Sequence, residues 1–161
     1  MKMNMNKSKT KIYASSIAIA LVVGGLSALL TNMGMDSYRA AEKPALTPPD
    51  ILFPIVWTIL YILMGISAGR IWIATKDKQH NSGLLVYLIQ LAVNFLWSIF
   101  FFNLQLYGFS FFWLLLLWVL IIVMIVAFSK TDKIAAYLQI PYLLWVTFAA
   151  YLNFMVWMLN K

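Results

Sequence analysis

The stretch ILFPIVWTILYILMGISAGRIWIA, Ile51 to Ala74, runs for 24 residues with a single charge, Arg70, near its end. At about 1.5 Å of rise per residue, a helix of this length covers about 36 Å, enough to cross a hydrocarbon core about 30 Å thick. It reads as a membrane-spanning helix. Similar runs occupy Ile12 to Met33, Gly83 to Asn103, Phe109 to Phe128 and Ile134 to Leu159. The chain, 1–161, is therefore expected to be one domain, an all-α integral membrane protein built as a five-transmembrane-helix bundle. The runs are continuously apolar rather than alternating, which excludes a transmembrane barrel. The first run follows Lys2, Lys7, Lys9 and Lys11 as a signal peptide would, but it is longer than the usual apolar region of a signal peptide. No good small-x-small cleavage site follows it, so a retained helix is expected.

What the chain lacks narrows the chemistry. Without cysteine there is no disulfide, thiolate nucleophile or Cys-ligated metal. The only histidine, His80, lies in the polar stretch TKDKQHNS, where a solvated residue is the expected reading, and no metal site is expected. All five acids, Asp36, Glu42, Asp50, Asp77 and Asp132, fall in or beside loops, so no span carries the buried carboxylate of a proton-coupled pump. The net charge of +7 would suggest nucleic acid in a soluble protein; here it reads first as an orientation signal, and no nucleic acid partner is expected. The N-terminus, Arg70 with the second loop, and the fourth loop hold nine Lys and Arg, whereas the first loop, third loop and C-terminus hold three. The positive-inside rule then places the N-terminus in the cytoplasm and the first loop and C-terminus outside.

Three spans carry polar and aromatic side chains at helical spacing. They are Trp57, Tyr61 and Met64 on the second, Tyr87, Gln90, Asn94 and Trp97 or Ser98 on the third, and Gln139, Tyr142, Trp145, Ala149 and Asn153 on the fifth. Amides and indole N–H groups are costly against lipid, so these faces are predicted to point into the bundle. They serve either as interhelical hydrogen bonds or as the walls of an aromatic cleft suited to a flat, largely apolar ligand. The fourth span has almost no polar group and is expected to face lipid or pack passively.

The first loop, Gly34 to Asp50, contains Pro44, Pro48 and Pro49, which favour a defined path, either a lid over a pocket or a rigid connector. Ala20, Gly24 and Ala28, and separately Gly65 and Gly69, form small-residue ridges. A homodimer is expected, with either ridge as a candidate contact, although close packing within the bundle suits these ridges as well. Arg70 is expected to reach the headgroups, and Pro141 to kink the fifth helix and free a carbonyl.

The stretch KPALTPPDILFPIVWTILYILMG, Lys43 to Gly65, resembles the loop-to-second-helix signature of the translocator protein family, also called tryptophan-rich sensory proteins, peripheral-type benzodiazepine receptors or TspO/MBR. QLAVNFLWSIFFF, Gln90 to Phe102, and PYLLWVTFAAYLN, Pro141 to Asn153, support the likeness to a bacterial member. The resemblance implies a five-helix bundle that binds porphyrins, and in some members sterols or benzodiazepine-type ligands, in a cavity closed by the first loop. It implies pocket positions at Tyr38, Pro44, Trp57, Asn94, Trp97, Trp145, Ala149 and Asn153, to which the helical face of the second span adds Tyr61. Leu46 stands where the family often has Trp, and NFMVW after Tyr151 lacks the basic residue of the proposed sterol pattern.

The expected function is a receptor in a bacterial cell membrane, in contact with the lipid bilayer, whose ligand is a protoporphyrin IX-like tetrapyrrole or another hydrophobic small molecule. No cofactor is obligatory. Trp57 and Trp145 are expected to flank the macrocycle, with Asn94 and Asn153 offering hydrogen bonds and Arg39 or Lys43 reaching propionates. Two rival expectations stand beside it. In one, Trp57 and Trp145 act as photochemical electron donors in light-dependent porphyrin breakdown; in the other, the cleft passes porphyrin or sterol-like ligands passively across the membrane.

Overall fold

The computed structural model describes residues 2–75 and 82–161, with side chains from Lys7 onward. The second loop, with Asp77, Lys78 and His80, lies outside the described residues. Helix α1 covers Lys2–Thr31 and passes through a 3-10 turn, Asn32–Gly34, into the short α2, Met35–Ala40. After an extended loop come α3, Leu52–Thr75, and α4, Ser82–Ser98, which ends in a π-helical turn, Ile99–Asn103. Helix α5 is Tyr107–Ser129, and the last span is broken into α6, Lys133–Tyr137, and α7, Ile140–Leu159. Among the described residues, five helical segments are long and apolar enough to cross a membrane. The sequence reading of a five-helix, all-α bundle is therefore realised.

Three boundaries differ from expectation for local reasons. The first helix begins at Lys2 because no Gly or Pro interrupts the polar N-terminal stretch. The first loop starts after Ala40 rather than at Gly34, because Gly34 has ordinary right-handed helical geometry and carries the chain on into α2. A Cβ on Gly34 would overlap the Phe102 carbonyl, so this glycine permits close approach rather than a break. The kink expected at Pro141 is a full interruption one turn earlier. Pro141 sits in the first turn of α7, where its missing N–H costs nothing, and Leu138 and Gln139 form the joint. At the joint the Gln139 N–H bonds to Ala136, and the Ala135 carbonyl instead accepts from Ser67 Oγ of α3 at 2.7 Å.

Helix α1 packs along α3, while α5 packs against α4, α6 and α7. Inside a bilayer, lipid tails are as apolar as leucine, so close packing and hydrogen bonds rather than burial from water decide helix pairing. The α1–α3 seam shows this. A Cβ on Gly65 would overlap the Ile17 backbone, one on Gly69 would stand 2.9 Å from the Tyr13 ring, and one on Gly24 would overlap the Tyr61 ring. Residues of both small-residue ridges are in close contact within the bundle: Ala20 is fully buried, and Gly24→Leu would strike Tyr61. On α5, Leu114, Leu117, Ile121, Met124 and Phe128 recur every three or four residues and are all buried, while Phe112, Leu116, Val119, Val123 and Val126 are exposed on the outer faces.

Arg70 does not reach for headgroups. Its Nη2 pairs with Asp132 Oδ2 at 2.8 Å, with the two side chains 30% and 18% exposed. Asp132 also caps α6, its Oδ1 accepting from the backbone N–H of Ile134 at 2.9 Å and of Ala135 at 3.1 Å. Burial alone would raise this carboxyl. The Ala135 N–H, the Arg70 guanidinium and the Ile134 N–H outweigh it and hold the group below its usual 3.8.

Candidate functional site

At the end of the bundle opposite Arg70, the helices part around a cavity of about 550 Å³. This lies within the roughly 300–1,000 Å³ common for small-molecule sites. Its walls come from Gly24, Ser27, Ala28 and Thr31 of α1, Tyr38 and Arg39 of α2, Trp57 and Tyr61 of α3, and Asn94 and Trp97 of α4. Phe101 and Phe102 of the π-helical turn, Trp145, Ala149 and Leu152 of α7, and Asp50 at the mouth also line it.

Aromatic contacts fix most of these walls. Trp57 packs against Tyr61, ring centroids 5.7 Å apart, and meets Tyr142 edge-on at 6.2 Å. Trp97 stacks on Phe101 at 5.5 Å, and Tyr38 reaches down from α2 to Phe101 and Phe102 at 5.6 and 5.3 Å. Phe53 meets Trp145 edge-on at 5.9 Å and joins α3 to α7. Polar groups are few and mostly committed: Asn94 Nδ2 donates to the Tyr61 hydroxyl at 3.3 Å, and below them Tyr142 donates to Gln90 Oε1 at 2.8 Å. The Trp145 indole N–H is buried without an acceptor among the described residues.

The loop that borders the cavity is held at several points. Asn160, past the end of α7, accepts from the Glu42 N–H at 3.0 Å and donates to the Glu42 carbonyl at 2.9 Å. Thr47 closes a turn on the Pro44 carbonyl through both its N–H, at 3.0 Å, and its hydroxyl, at 2.8 Å. Lys43 Nζ lies 4.7 Å from the centre of the Tyr38 ring. Arg39 donates to Asp36 at 3.3 Å and to Asp50 at 3.2 Å, tying α2 to the start of α3.

Of the sequence-derived positions, Tyr38, Trp57, Tyr61, Asn94, Trp97, Trp145 and Ala149 meet around this cavity. Pro44 and Asn153 do not line it. Pro44 is buried in the loop turn. Asn153 is fully buried behind the wall, its Oδ1 accepting from Trp97 Nε1 and Ser110 Oγ at 3.1 Å each and its Nδ2 donating to the Tyr107 carbonyl at 2.8 Å. With those bonds made it orients Trp97 rather than offering a donor to a ligand. Phe101, Phe102, Ser27 and Thr31 join the lining without having been singled out. The IFFF run has no periodicity to mark which face is inward; Ser27 and Thr31, four apart on the first span, did carry a readable signal.

Five membrane-spanning helices that enclose a mostly aromatic chamber, with Arg39 and its two carboxylate partners at the mouth, define an integral membrane protein. The sequence places it among known proteins. The TspO/MBR family model matches residues 16–158, and the chain belongs to this family. It is 38% identical over 161 residues to the tryptophan-rich protein TspO of Chlorobaculum tepidum, covering 97% of this chain and 99% of that one. It is 40% identical over 124 residues to the protein CrtK of Rhodobacter capsulatus, with 76% and 78% covered. The translocator protein of Ovis aries is 33% identical over 130 residues, with 80% and 77% covered.

Proposed function

We propose that the protein is a receptor for a flat, largely apolar ligand of the porphyrin type, protoporphyrin IX being the ligand to test, held in the cavity beneath α2. The observation that carries this reading is the convergence of Trp57, Trp97 and Trp145, from α3, α4 and α7, on one chamber with few uncommitted polar atoms. Indole faces suit a conjugated macrocycle, and the unpaired Trp145 N–H offers one directed hydrogen bond. The ligand, in this reading, enters and leaves passively, through the bilayer or the α2 mouth. In this reading the protein sits in a bacterial cell membrane with α2 and the C-terminus outside, following the asymmetry of Lys and Arg.

Titration of protoporphyrin IX against the purified protein, followed by tryptophan quenching and porphyrin absorbance, tests the binding. Ala149→Leu pushes a branched side chain into the chamber and is expected to weaken binding about tenfold, equivalent to about 1.4 kcal/mol. Equal affinity in parent and variant contradicts the assignment. Orientation is read separately with single cysteines in this Cys-free chain. Glu42→Cys is expected to react with an impermeant reagent in intact cells and Lys130→Cys to stay unlabelled.

A further inference from the structure

The cavity carries an ion pair that its apolar walls do not require. Among the described residues lining it, Arg39 is the one cation and Asp50 the one carboxylate. Arg39 Nε donates to Asp50 Oδ2 at 3.2 Å and Nη1 to Asp36 Oδ1 at 3.3 Å. Lys43, the other nearby cation, lies over the Tyr38 ring and is not part of the lining. The guanidinium is therefore shared between a carboxylate of its own helix, three residues back, and one across the mouth, eleven residues on.

We propose that Arg39 is an anion subsite of this cavity, kept occupied by Asp50 until the carboxylate of an amphiphilic ligand takes Asp50's place. This rests on the reading of the chamber as a ligand site and adds to it where a ligand's carboxylate edge is met and which group of the chain competes with it there. The geometry favours exchange over simple addition. A guanidinium fork is shaped for carboxylate oxygens, so a ligand carboxylate can replace Asp50 in kind. The Arg39 and Asp50 side chains are 56% and 44% exposed, and an ion pair so open to solvent contributes little net stability, so parting it is a minor obstacle. Asp50 released from Arg39 turns into water at the mouth, away from the aromatic walls. A neutral ligand of the same shape leaves the pair closed and gains nothing from Arg39. Asp50 thus acts as an internal competitor that sets how strongly charge contributes to selection.

The test compares protoporphyrin IX with its dimethyl ester, which has the same macrocycle without the two carboxylates. Both are titrated against the full chain in phosphatidylcholine nanodiscs, which keep anionic headgroups from competing for Arg39. The readout is the ratio of the two affinities, so loss of fold, which lowers both together, does not imitate the effect. Asp50→Asn releases Arg39 Nε from its carboxylate, leaving the Asp36 contact in place, and is expected to raise the preference for the diacid at least threefold. Arg39→Gln is expected to lower it at least fivefold, and Arg39→Lys, which keeps the charge but loses the fork, to fall between parent and Gln variant. A ratio that stays within twofold of the parent in both Asp50→Asn and Arg39→Gln, while both porphyrins bind, overturns the anion subsite and leaves the cavity reading intact. If neither porphyrin binds the parent, the cavity reading fails and the subsite with it.

Discussion

The two ends of the bundle are built on opposite terms, and the α1–α3 seam shows where one gives way to the other. Toward Arg70, bulk on α1 faces a glycine on α3: Tyr13 over Gly69 and Ile17 over Gly65. At Gly24 the assignment reverses, and it is α3 that supplies the bulk, as Tyr61. From there toward α2, the residues of α1 that face inward are small, Ser27, Ala28 and Thr31, while α3 offers Tyr61 and Trp57, and the space between is the cavity. The Arg70 end is also fastened by its own bonds, Arg70 to Asp132 and Ser67 to the carbonyl released at the break between α6 and α7. The α2 end is fastened by aromatic contacts and by exposed polar links at Arg39 and Asn160. A closed half thus carries an open one, and the cavity exists because tight packing is confined to the other end.

Gly65→Leu attacks the closed half where it has least room. The new side chain meets Ile17 backbone, which cannot turn aside, so α1 must leave α3. The expected outcome is loss of folded, monodisperse protein, a cost beyond the roughly 1–3 kcal/mol of ordinary overpacking, read by gel filtration and thermal melting in detergent.

Removing Arg70 has the next largest effect. Arg70→Gln leaves Asp132 partly buried without its cation and is expected to cost about 1–3 kcal/mol, less than a fully buried pair because both groups retain some solvent. The same contact sets a pH dependence. A carboxyl held below its usual 3.8 contributes stability that is complete above that value and is lost as pH falls through the lower, folded-state value. Melting temperature in the parent is therefore expected to drop below about pH 4, and Asp132→Asn to melt lower at neutral pH with a shallower acid limb.

In the open half, effects should fall on the ligand before the fold. Trp57→Phe and Trp145→Phe keep most of the aromatic surface, so porphyrin affinity is expected to fall by about 1 kcal/mol in each, measured by titration. If both are walls, light-driven porphyrin loss at matched, full occupancy stays at the parent rate. Its collapse in either variant would assign the indole a photochemical role. The smallest effect belongs to Gly25, one residue from the seam, with nothing within 4 Å of a Cβ. Gly25→Ala is expected to raise stability by about 0.5–1 kcal/mol through helix propensity alone and to leave binding unchanged.

How much of this was readable in the sequence depended on whether a residue's role was set by periodicity or by its partner. The spans and their inward faces were legible because spans of this length need apolar runs and because Trp57, Tyr61, Asn94, Trp97, Trp145 and Ala149 recur at helical intervals. Asn153 shares that periodicity, yet it faces Trp97, Ser110 and Tyr107, and only the neighbouring helices decide that its bonds are all taken within the protein. Arg70 looked like a headgroup anchor because Asp132 is 62 residues away and becomes its neighbour only when α6 folds back beside α3. The small ridges were equally ambiguous, since a smooth helix face fits a second copy as well as its own chain. The helical course of α2 was hidden by the prolines after it, which end that helix without preventing it. The Phe101 and Phe102 wall depends on a π-helical turn that no spacing announces.

The most direct test of the cavity assignment is a structure of the protein solved with protoporphyrin IX bound in a lipid environment. The expected result places the macrocycle beneath α2, in contact with Trp57 of α3 and Trp145 of α7, with its carboxylate edge toward Arg39. A macrocycle lying instead on the lipid-facing side of the bundle, against Phe112 and Leu116 of α5 with the chamber unchanged, would contradict it.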